Sequence, residues 1–399
     1  MSDQRTPRHP SEGTGAQGGA VPGTAVQVEA EKATERLRDV ISEQLGIRGM
    51  IREYMIPVDT NTIWYSLGGV LAISLMLEIL SGIFLAFRYV PAADRAFQTT
   101  EALLNEGGWS FNLSFHYWNS YVIFGLVMIH MLRVFFSGAY RLGKKGLWEV
   151  GVALAGVVFL LSLTGETLHW DERGFAVPWH VGEFFEAIGL ANFFHWSPED
   201  LLNVHLATGR LTLFYAFHIA VLPILLLSLI AMHYYLVKVK HISLPFWHKP
   251  TGGETPFTEH IKAWLLYSAL ILGPILLISI FIHRAAGDAP QLLASSPFYG
   301  SEHGPGALGV VPTFPISWTH GMNRFVSILG LEPDIWGTVI GMVLMTAALA
   351  AIPYLDRQSL QPTSWGEALH GRTGAFVAMG LFWLIMIIGT VTNAVTPVG

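Results

Sequence analysis

Four histidines in two long apolar stretches are the strongest candidates for a cofactor site in this sequence. His130 follows His116 by fourteen positions, and His233 follows His218 by fifteen. Because an α-helix turns about 100° and rises about 1.5 Å per residue, each pair occupies one helix face, about 21 to 23 Å apart along the axis. Neutral imidazoles on opposite sides of a flat macrocycle are natural axial ligands of a low-spin haem. Spacing alone leaves open which histidine of one helix faces which histidine of the other.

The composition places these histidines in a membrane protein. Of 399 residues, 52% are hydrophobic and 13% are charged, and several stretches reach the roughly 20 apolar residues that cross a bilayer. Ionisable residues inside such stretches are rare and mostly functional, which favours ligation over satisfied core histidines. The net charge of -6 does not suggest a nucleic-acid partner. Without cysteine, the chain carries no disulfide, cysteine-ligated cluster or thioether-linked haem.

The hydropathy pattern predicts an all-α polytopic membrane protein with seven transmembrane helices and no convincing strand. The first four helices are expected to form a four-helix bundle around the histidines, and the last three a C-terminal part. The spans are predicted at about 62–89, 114–138, 147–168, 210–237, 262–283, 334–354 and 373–394. The chain is predicted to begin with a disordered tail (residues 1–32) and an amphipathic surface helix (33–53). An N-terminal domain (54–245) and a C-terminal domain (246–399) are predicted to follow.

Charged residues in the loops predict the orientation in the membrane. Basic residues follow the second and fourth spans, at Arg141, Lys144, Lys145, Lys238, Lys240 and Lys249, whereas the loop of about 169–209 is acidic. The positive-inside rule therefore places the basic loops and the N-terminus in the cytoplasm, which agrees with the lack of a signal-peptide pattern in the tail. The expected location is the inner (cytoplasmic) membrane. Residues 181–194 of the acidic loop are apolar enough to form short helices along the outer surface.

Several segments resemble the cytochrome b family of Rieske-type quinol–cytochrome oxidoreductases, and most closely its split form, here fused in one chain. They read WYSLGG…LEILSGIFLAFRYVP, SFHYWNS…IHMLRVFFSGAYR, LTGETLHWDERGF and LTLFYAFHIAVLP…MHYYLVKVKHIS, within residues 64–91, 114–141, 163–175 and 211–243. The resemblance covers residues 33–245 strongly and the last three spans more weakly.

The resemblance implies two haem b groups and a definite ligand pairing. It implies that His116 and His218 hold an outer, low-potential haem, and that His130 and His233 hold an inner, high-potential haem. Arg133 matches a family arginine near the inner haem, and its guanidinium suits a propionate. Small residues in the first and third spans give room for haem edges or for close helix packing, and the two candidates are Gly69 and Gly82.

The sequence departs from the family at its quinol and haem sites. Leu213 replaces a family arginine, with Arg210 three positions earlier, and Ser66 replaces the cysteine that holds an extra haem in the split form. The family's Pro-Glu-Trp-Tyr motif corresponds by position to residues 315–318, Pro-Ile-Ser-Trp, which lack the glutamate.

A replacement proton acceptor is predicted at the outer end of the third span. Glu166 lies four residues before Trp170, and a carboxyl at an apolar boundary suits proton exchange with a quinol, assisted by His169 or His320. The alternative is that Glu166 only ends the helix in water. Glu78, inside the first span, is expected to hydrogen-bond a neighbouring helix.

These observations predict a di-haem b-type cytochrome that moves electrons across the bilayer between quinone and a partner redox protein. The resemblance implies a Rieske-type iron–sulfur protein and a c-type cytochrome as partners, and a homodimer. One alternative is a non-bifurcating, quinone-reactive subunit of another respiratory complex, which the missing glutamate favours. A second alternative is a transporter or channel whose histidines line a proton or metal path, although no broken-helix repeats support it.

Overall fold

The computed structural model describes residues 54–141, 143–244, 251–285, 317–356 and 371–395, together with residues 29, 32–34, 36–37 and 366. The chain divides into two units, Met1–Met55 and Ile56–Gly399, and every helix long enough to cross a membrane lies in the second. The predicted tail and amphipathic helix lie outside the described residues, apart from helical backbone at positions 29, 32–34 and 36–37.

The second unit is built almost entirely from helices. In chain order they are α1 (Ile63–Ala86), α2 (Ala96–Asn105), α3 (Gly107–Ser137), α4 (Lys145–His169), α5 (Glu172–Ala187), α6 (Ala191–Phe194), α7 (Val204–Lys240), α8 (Phe257–Ala285), α9 (Ser317–Ile328), α10 (Pro333–Leu355) and α11 (Thr373–Val395). Seven of these are long and apolar enough to cross a membrane: α1, α3, α4, α7, α8, α10 and α11. The predicted all-α polytopic architecture with seven spans is therefore confirmed.

Two details of the architecture differ from the sequence-based expectation. Two three-residue strands, β1 (Met55–Pro57) and β2 (Glu254–Pro256), pair in a small sheet that no pattern in the sequence had indicated. Such strands are too short to show the alternating pattern by which a strand is recognised. Helices α7 and α10 also contain π-helical turns, at Phe217–Val221 and Val339–Leu344. The predicted boundary between residues 54–245 and 246–399 stays a prediction.

Local signals end the helices that carry the candidate residues. Gly138 follows α3 in the left-handed conformation, with φ 64°, and its N–H bonds to the carbonyl oxygen of Phe135, as in a glycine C-cap. Trp170 ends α4 with φ 52°, and its indole N–H donates to the carbonyl oxygen of Ala93 at 3.1 Å. Asp171 then caps α5 by accepting from the Gly174 N–H at 2.8 Å. The end of α4 is thereby fixed in place.

The first four spans pack into one bundle, and the last three extend it. α1 packs against α3 and α8, α4 packs against α7 and α10, and α9, α10 and α11 pack together. Between 17% and 39% of the residues in the most apolar 18-residue window of each span are buried inside the protein.

A buried ionic cluster joins the first four spans to the last three. The Asp356 carboxylate, just after α10, accepts from Tyr140 Oη at 2.7 Å, Arg141 Nε at 2.8 Å and Arg372 Nε at 3.1 Å. Arg372 Nη2 also donates to the carbonyl oxygen of Phe135 at 2.7 Å. The three charged side chains are only 2% to 4% exposed. Removing one partner therefore leaves the others charged and out of water.

We predict that Asp356→Asn destabilises the protein by about 3–5 kcal/mol, because two buried guanidinium groups lose their carboxylate. The free energy of unfolding in mild detergent measures the effect. Glu259→Gln is the matched control, because Glu259 pairs with Lys262 at the exposed surface of α8 and is expected to contribute under about 1 kcal/mol. Equal losses in the two variants would contradict a structural role for the cluster.

Candidate functional site

His116 and His218 face each other across the bundle. His116 lies on α3 and His218 in the π-helical turn of α7, with ring centroids 6.2 Å apart and ring planes at 76°. Two metal–nitrogen bonds of about 2 Å and two ring radii of about 1.1 Å add to roughly the same separation. The spacing therefore fits one metal centre held between the two rings, as in a bis-histidine haem.

Hydroxyl groups fix which nitrogen of each ring is free. Ser81 Oγ donates to the carbonyl oxygen three residues earlier, at 2.8 Å, so it accepts the Nδ1–H of His116 at 2.8 Å. Thr164 Oγ1 likewise donates to the carbonyl oxygen four residues earlier and accepts from Nδ1 of His218 at 3.0 Å. With Nδ1 protonated, Nε2 of both rings carries the lone pair that a metal requires.

Glycines on the flanking helices give all four imidazoles room. A Cβ added at Gly165 would lie 2.9 Å from Cε1 of His218, and one added at Gly82 would lie 3.1 Å from Cε1 of His116. A Cβ added at Gly68 would lie 3.4 Å from Cε1 of His130, and one added at Gly151 would lie 3.7 Å from Cε1 of His233. A side chain at Gly165 would displace the His218 ring and one at Gly82 would crowd His116, whereas a Cβ at Gly68 or Gly151 would make ordinary van der Waals contact. Gly82 thus lies against His116, whereas Gly69 faces the indole of Trp264, and its neighbour Gly68 lies at His130.

His130 on α3 and His233 on α7 lie fourteen and fifteen positions after the first pair, toward the other end of the same helices. Nδ1 of each ring is buried and has no hydrogen-bond partner among the described residues. Arg133, three residues after His130, stacks its guanidinium on the Tyr65 ring at 4.0 Å, and its Nη2 is also buried without a partner in the described part of the chain. A buried cation with a free N–H fits a carboxylate of a bound group, such as a haem propionate.

An apolar layer separates the two histidine pairs. Its buried members come from all four helices and lie between the histidines or glycines in sequence: Leu75 on α1, Ile123 and Val127 on α3, Val157 and Val158 on α4, and Leu222 and Leu226 on α7. The bundle therefore offers two sites with packed hydrocarbon between them.

Glu166 and His169 share a cavity with the first histidine pair. The cavity has a volume of about 400 Å³ and is lined by His116, His218, Glu166, His169 and Tyr117, among others. His169 Nδ1 lies 4.0 Å from Glu166 Oε2, and its ring centroid lies 6.2 Å from that of Tyr117. The structure thus places the predicted acid–base residues next to the His116–His218 site.

Other predicted residues lie elsewhere. His320 lies beside His180, with ring centroids 5.6 Å apart, rather than in this cavity. Arg210 lies 3.7 Å from Asp200 and stacks on the Trp196 ring, so it serves the loop before α7.

Three further predictions concern single positions of the spans and the quinol motif. Glu78 accepts from Asn119 Nδ2 at 2.8 Å, which is the expected bond to a neighbouring helix, and its Oε1 also lies 3.4 Å from Nδ1 of His116. Ser66 is buried in α1. Of the Pro-Ile-Ser-Trp segment, residues 315 and 316 lie outside the described residues, and Trp318 is buried against Phe159.

Ser81 and Thr164 are site residues that no sequence pattern predicted, and Gly68 lies at the histidine in place of the predicted Gly69. Ser81 directly precedes Gly82, and Thr164 directly precedes Gly165. A signal was present in the glycine spacing. Gly82 follows Gly68, and Gly165 follows Gly151, by the same fourteen positions that separate the two histidines of α3. Matching these intervals across helices would have chosen Gly68 over Gly69.

Comparison with known proteins identifies relatives of this arrangement. Residues 52–241 match the family model described as cytochrome b/b6/petB. The cytochrome b6 of Gracilaria tenuistipitata var. liui is 29% identical over 53% of this chain and 99% of its own length. The cytochrome b of Allochromatium vinosum is 24% identical over 84% of each chain, and the cytochrome b/c1 of Bradyrhizobium diazoefficiens is 25% identical over 87% of this chain but only 48% of its own length.

A solved structure shares the fold. A chain of a hyperthermophilic respiratory Complex III superposes with a TM-score of 0.66, at 19% identity, over 90% of this chain and 98% of its own length. The likeness therefore extends beyond residues 52–241 into the last three spans.

We predict that Gly165→Ala weakens haem binding at the His116–His218 site by about 5- to 150-fold, because overpacking costs about 1–3 kcal/mol. Haem content and the reduced haem spectrum of the purified protein measure the loss. Gly156→Ala is the control on the same helix, since a Cβ there meets nothing within 4 Å. An unchanged spectrum in the Gly165 variant would show that the ring does not depend on this glycine.

Proposed function

We propose that the chain is a member of the cytochrome b family, whose model its residues 52–241 match, and that it holds two b-type haems as the membrane subunit of a quinol oxidoreductase. The observation that carries the proposal is the His116–His218 separation of 6.2 Å with both Nδ1 atoms hydrogen-bonded. His116 and His218 would ligate one haem, and His130 and His233 the other. A bound haem supplies one-electron chemistry, while the protein supplies position and insulation.

The spacing of the two sites suits electron transfer across the membrane. The fourteen positions of α3 between its histidines separate the sites by about 21 Å, which is about two-thirds of a hydrocarbon core of about 30 Å. The apolar layer of Leu75, Ile123, Val157 and Leu226 excludes water and ions between them. At the second site, the Arg133 guanidinium would hold a propionate by a charge-assisted hydrogen bond.

Quinol oxidation is proposed in the cavity beside His116 and His218. There Glu166 would accept a proton from the quinol hydroxyl, and His169, at 4.0 Å, would take part in passing it to solvent. The support is the position of both groups on the wall of the cavity that also contains the first histidine pair. Glu166 would thereby replace the proton acceptor that the family has at the position of residue 316, which is isoleucine here.

The partners and the location are proposed from the family. A Rieske-type iron–sulfur protein and a c-type cytochrome would accept electrons on the outer side, since these 399 residues contain no cysteine for such centres. The chain would form a homodimer in the inner (cytoplasmic) membrane with its N-terminus in the cytoplasm. One relative is a cytochrome b/c1, and the solved structure that shares this fold is a chain of a respiratory Complex III.

A second candidate is a non-bifurcating quinone-reactive subunit of another respiratory complex. The observation that favours it is the isoleucine at residue 316, where the resemblance implies a glutamate. Co-purification of a Rieske-type electron paramagnetic resonance signal separates the two candidates, because only the first requires that protein.

We predict that adding a quinol to the purified complex under anaerobic conditions reduces the b-type haem within the enzyme's turnover time. Absorbance of the reduced haem band measures the reaction. Dithionite provides the control for total reducible haem. Haem that dithionite reduces but quinol does not would contradict a quinol oxidoreductase.

We predict that Glu166→Gln lowers quinol turnover by about 10²- to 10⁴-fold, because a positioned proton acceptor contributes by that amount. The haem spectrum should stay unchanged. Glu199→Gln, at an exposed carboxylate in the loop before α7, is the control. If turnover survives in the Glu166 variant, this carboxylate only ends α4.

A further inference from the structure

A second group of chemistry-bearing side chains lies outside the histidine bundle. His180 and Glu183, one turn apart on α5, meet Asp334 at the start of α10. One ligand atom of each lies within 4.8 Å of the other two, and all three side chains are half-buried. Among the described residues, no other group of three histidine or carboxylate side chains meets this condition.

The carboxylate of Glu183 is held in place from both ends. Trp179 Nε1 donates to Oε1 at 2.8 Å, and Nδ1 of His180 donates to Oε2 at 2.6 Å. Burial raises the pKa of Glu183, but the hydrogen bond and charge of His180 outweigh burial and leave that pKa below its usual value. The group is therefore an anionic, oriented carboxylate, and carboxylates that ligate metals are typically held by such hydrogen bonds.

His320 on α9 brings a second imidazole to the same place. Its ring centroid lies 5.6 Å from that of His180. Both of its ring nitrogens are buried and have no hydrogen-bond partner in the part of the chain that the structure describes. Burial and the nearby His180 lower its pKa to about 4, so the ring is neutral at pH 7. Two imidazoles on one tetrahedral ion place their centroids roughly 5 Å apart, so a small rotation of His320 suffices.

The surrounding charge favours a cation. Glu332 lies beside Asp334, and Glu186 lies one turn beyond Glu183 on α5, so four carboxylates lie near the site. Arg324 is the cation that acts on His320. Metal ions with borderline softness, such as Zn²⁺, prefer mixed imidazole and carboxylate ligands, whereas Ca²⁺ and Mg²⁺ prefer oxygen alone.

We propose that His180, Glu183 and Asp334 bind a divalent transition-metal ion, with Zn²⁺ as its probe, and that His320 completes the coordination. The ligands come from α5, α9 and α10, so the ion would clamp the loop after α4, the third helix of the bundle, onto the C-terminal helices. Two ligand atoms on a tetrahedral ion lie roughly 3.3 Å apart, so the 2.6 Å bond between His180 and Glu183 opens on binding and its proton is released. The site does not depend on the proposed haem ligation.

The test is Zn²⁺ binding to the intact purified protein after removal of metal with a chelator. Calorimetric titration should show one Zn²⁺ per chain with an affinity that exceeds that for Mg²⁺ or Ca²⁺ by at least about 100-fold. X-ray absorption at the zinc edge should show imidazole scattering and nitrogen or oxygen ligands at about 2.0–2.1 Å. The haem spectrum is recorded on every sample, so failure of the haem assignment and failure of the zinc site are distinguishable.

Substitutions identify the ligands. His180→Ala and Asp334→Asn should each weaken Zn²⁺ binding by at least about 10- to 100-fold, and His320→Gln should remove one imidazole from the absorption spectrum. The control is the double variant His205→Ala with Glu199→Gln, which removes an exposed histidine and an exposed carboxylate from the same region and should bind as the natural protein does. Absence of a one-to-one site, equal losses in the control, or tighter Mg²⁺ or Ca²⁺ binding would overturn the proposal.

Discussion

The close approach of an imidazole ring to a glycine of the neighbouring helix is the constraint on which the bundle depends. Gly68 and Gly82 on α1 lie against His130 and His116, and Gly151 and Gly165 on α4 lie against His233 and His218. Within each glycine pair the interval is fourteen positions, which is also the interval between the histidines of α3. Because the intervals match, two flanking helices can present the same small surface at both sites. The packed layer between the sites follows from the same register.

Helix α7 breaks that interval and the structure shows how the difference is absorbed. Its histidines are separated by fifteen positions, one more than on α3, and His218 lies in the π-helical turn Phe217–Val221. A π-helical turn contains about one residue more than an α-helical turn, because its hydrogen bonds join residues five apart. The extra residue is taken up there, so His218 and His233 can face their partners on α3 in the same register. The turn therefore belongs to the site and is not an irregularity of the span.

The sequence predicted the elements that depend on local pattern and missed those that depend on tertiary contact. Apolar runs located all seven spans, and the intervals between histidines located the two sites, because both signals lie within single helices. The sequence could not distinguish Gly68 from Gly69, because adjacent glycines do not show which face of α1 meets α3. In the structure Gly68 faces His130 on α3, whereas Gly69 faces Trp264 on α8. The roles of Ser81 and Thr164 and the meeting of His180 with Asp334 arise between helices far apart in sequence, where periodicity carries no information. The small sheet and the π-helical turns are too short to leave a periodic pattern.

We propose that the bundle holds two b-type haems, one at each histidine pair. A potentiometric titration of the haem absorbance, combined with a haem count on the purified protein, is the decisive test. We expect two haems per chain that titrate as two one-electron steps at separate potentials, and we expect His130→Ala to remove one step and leave the other at His116 and His218. A single haem, a colourless protein, or loss of both steps in a folded His130 variant would contradict the proposal.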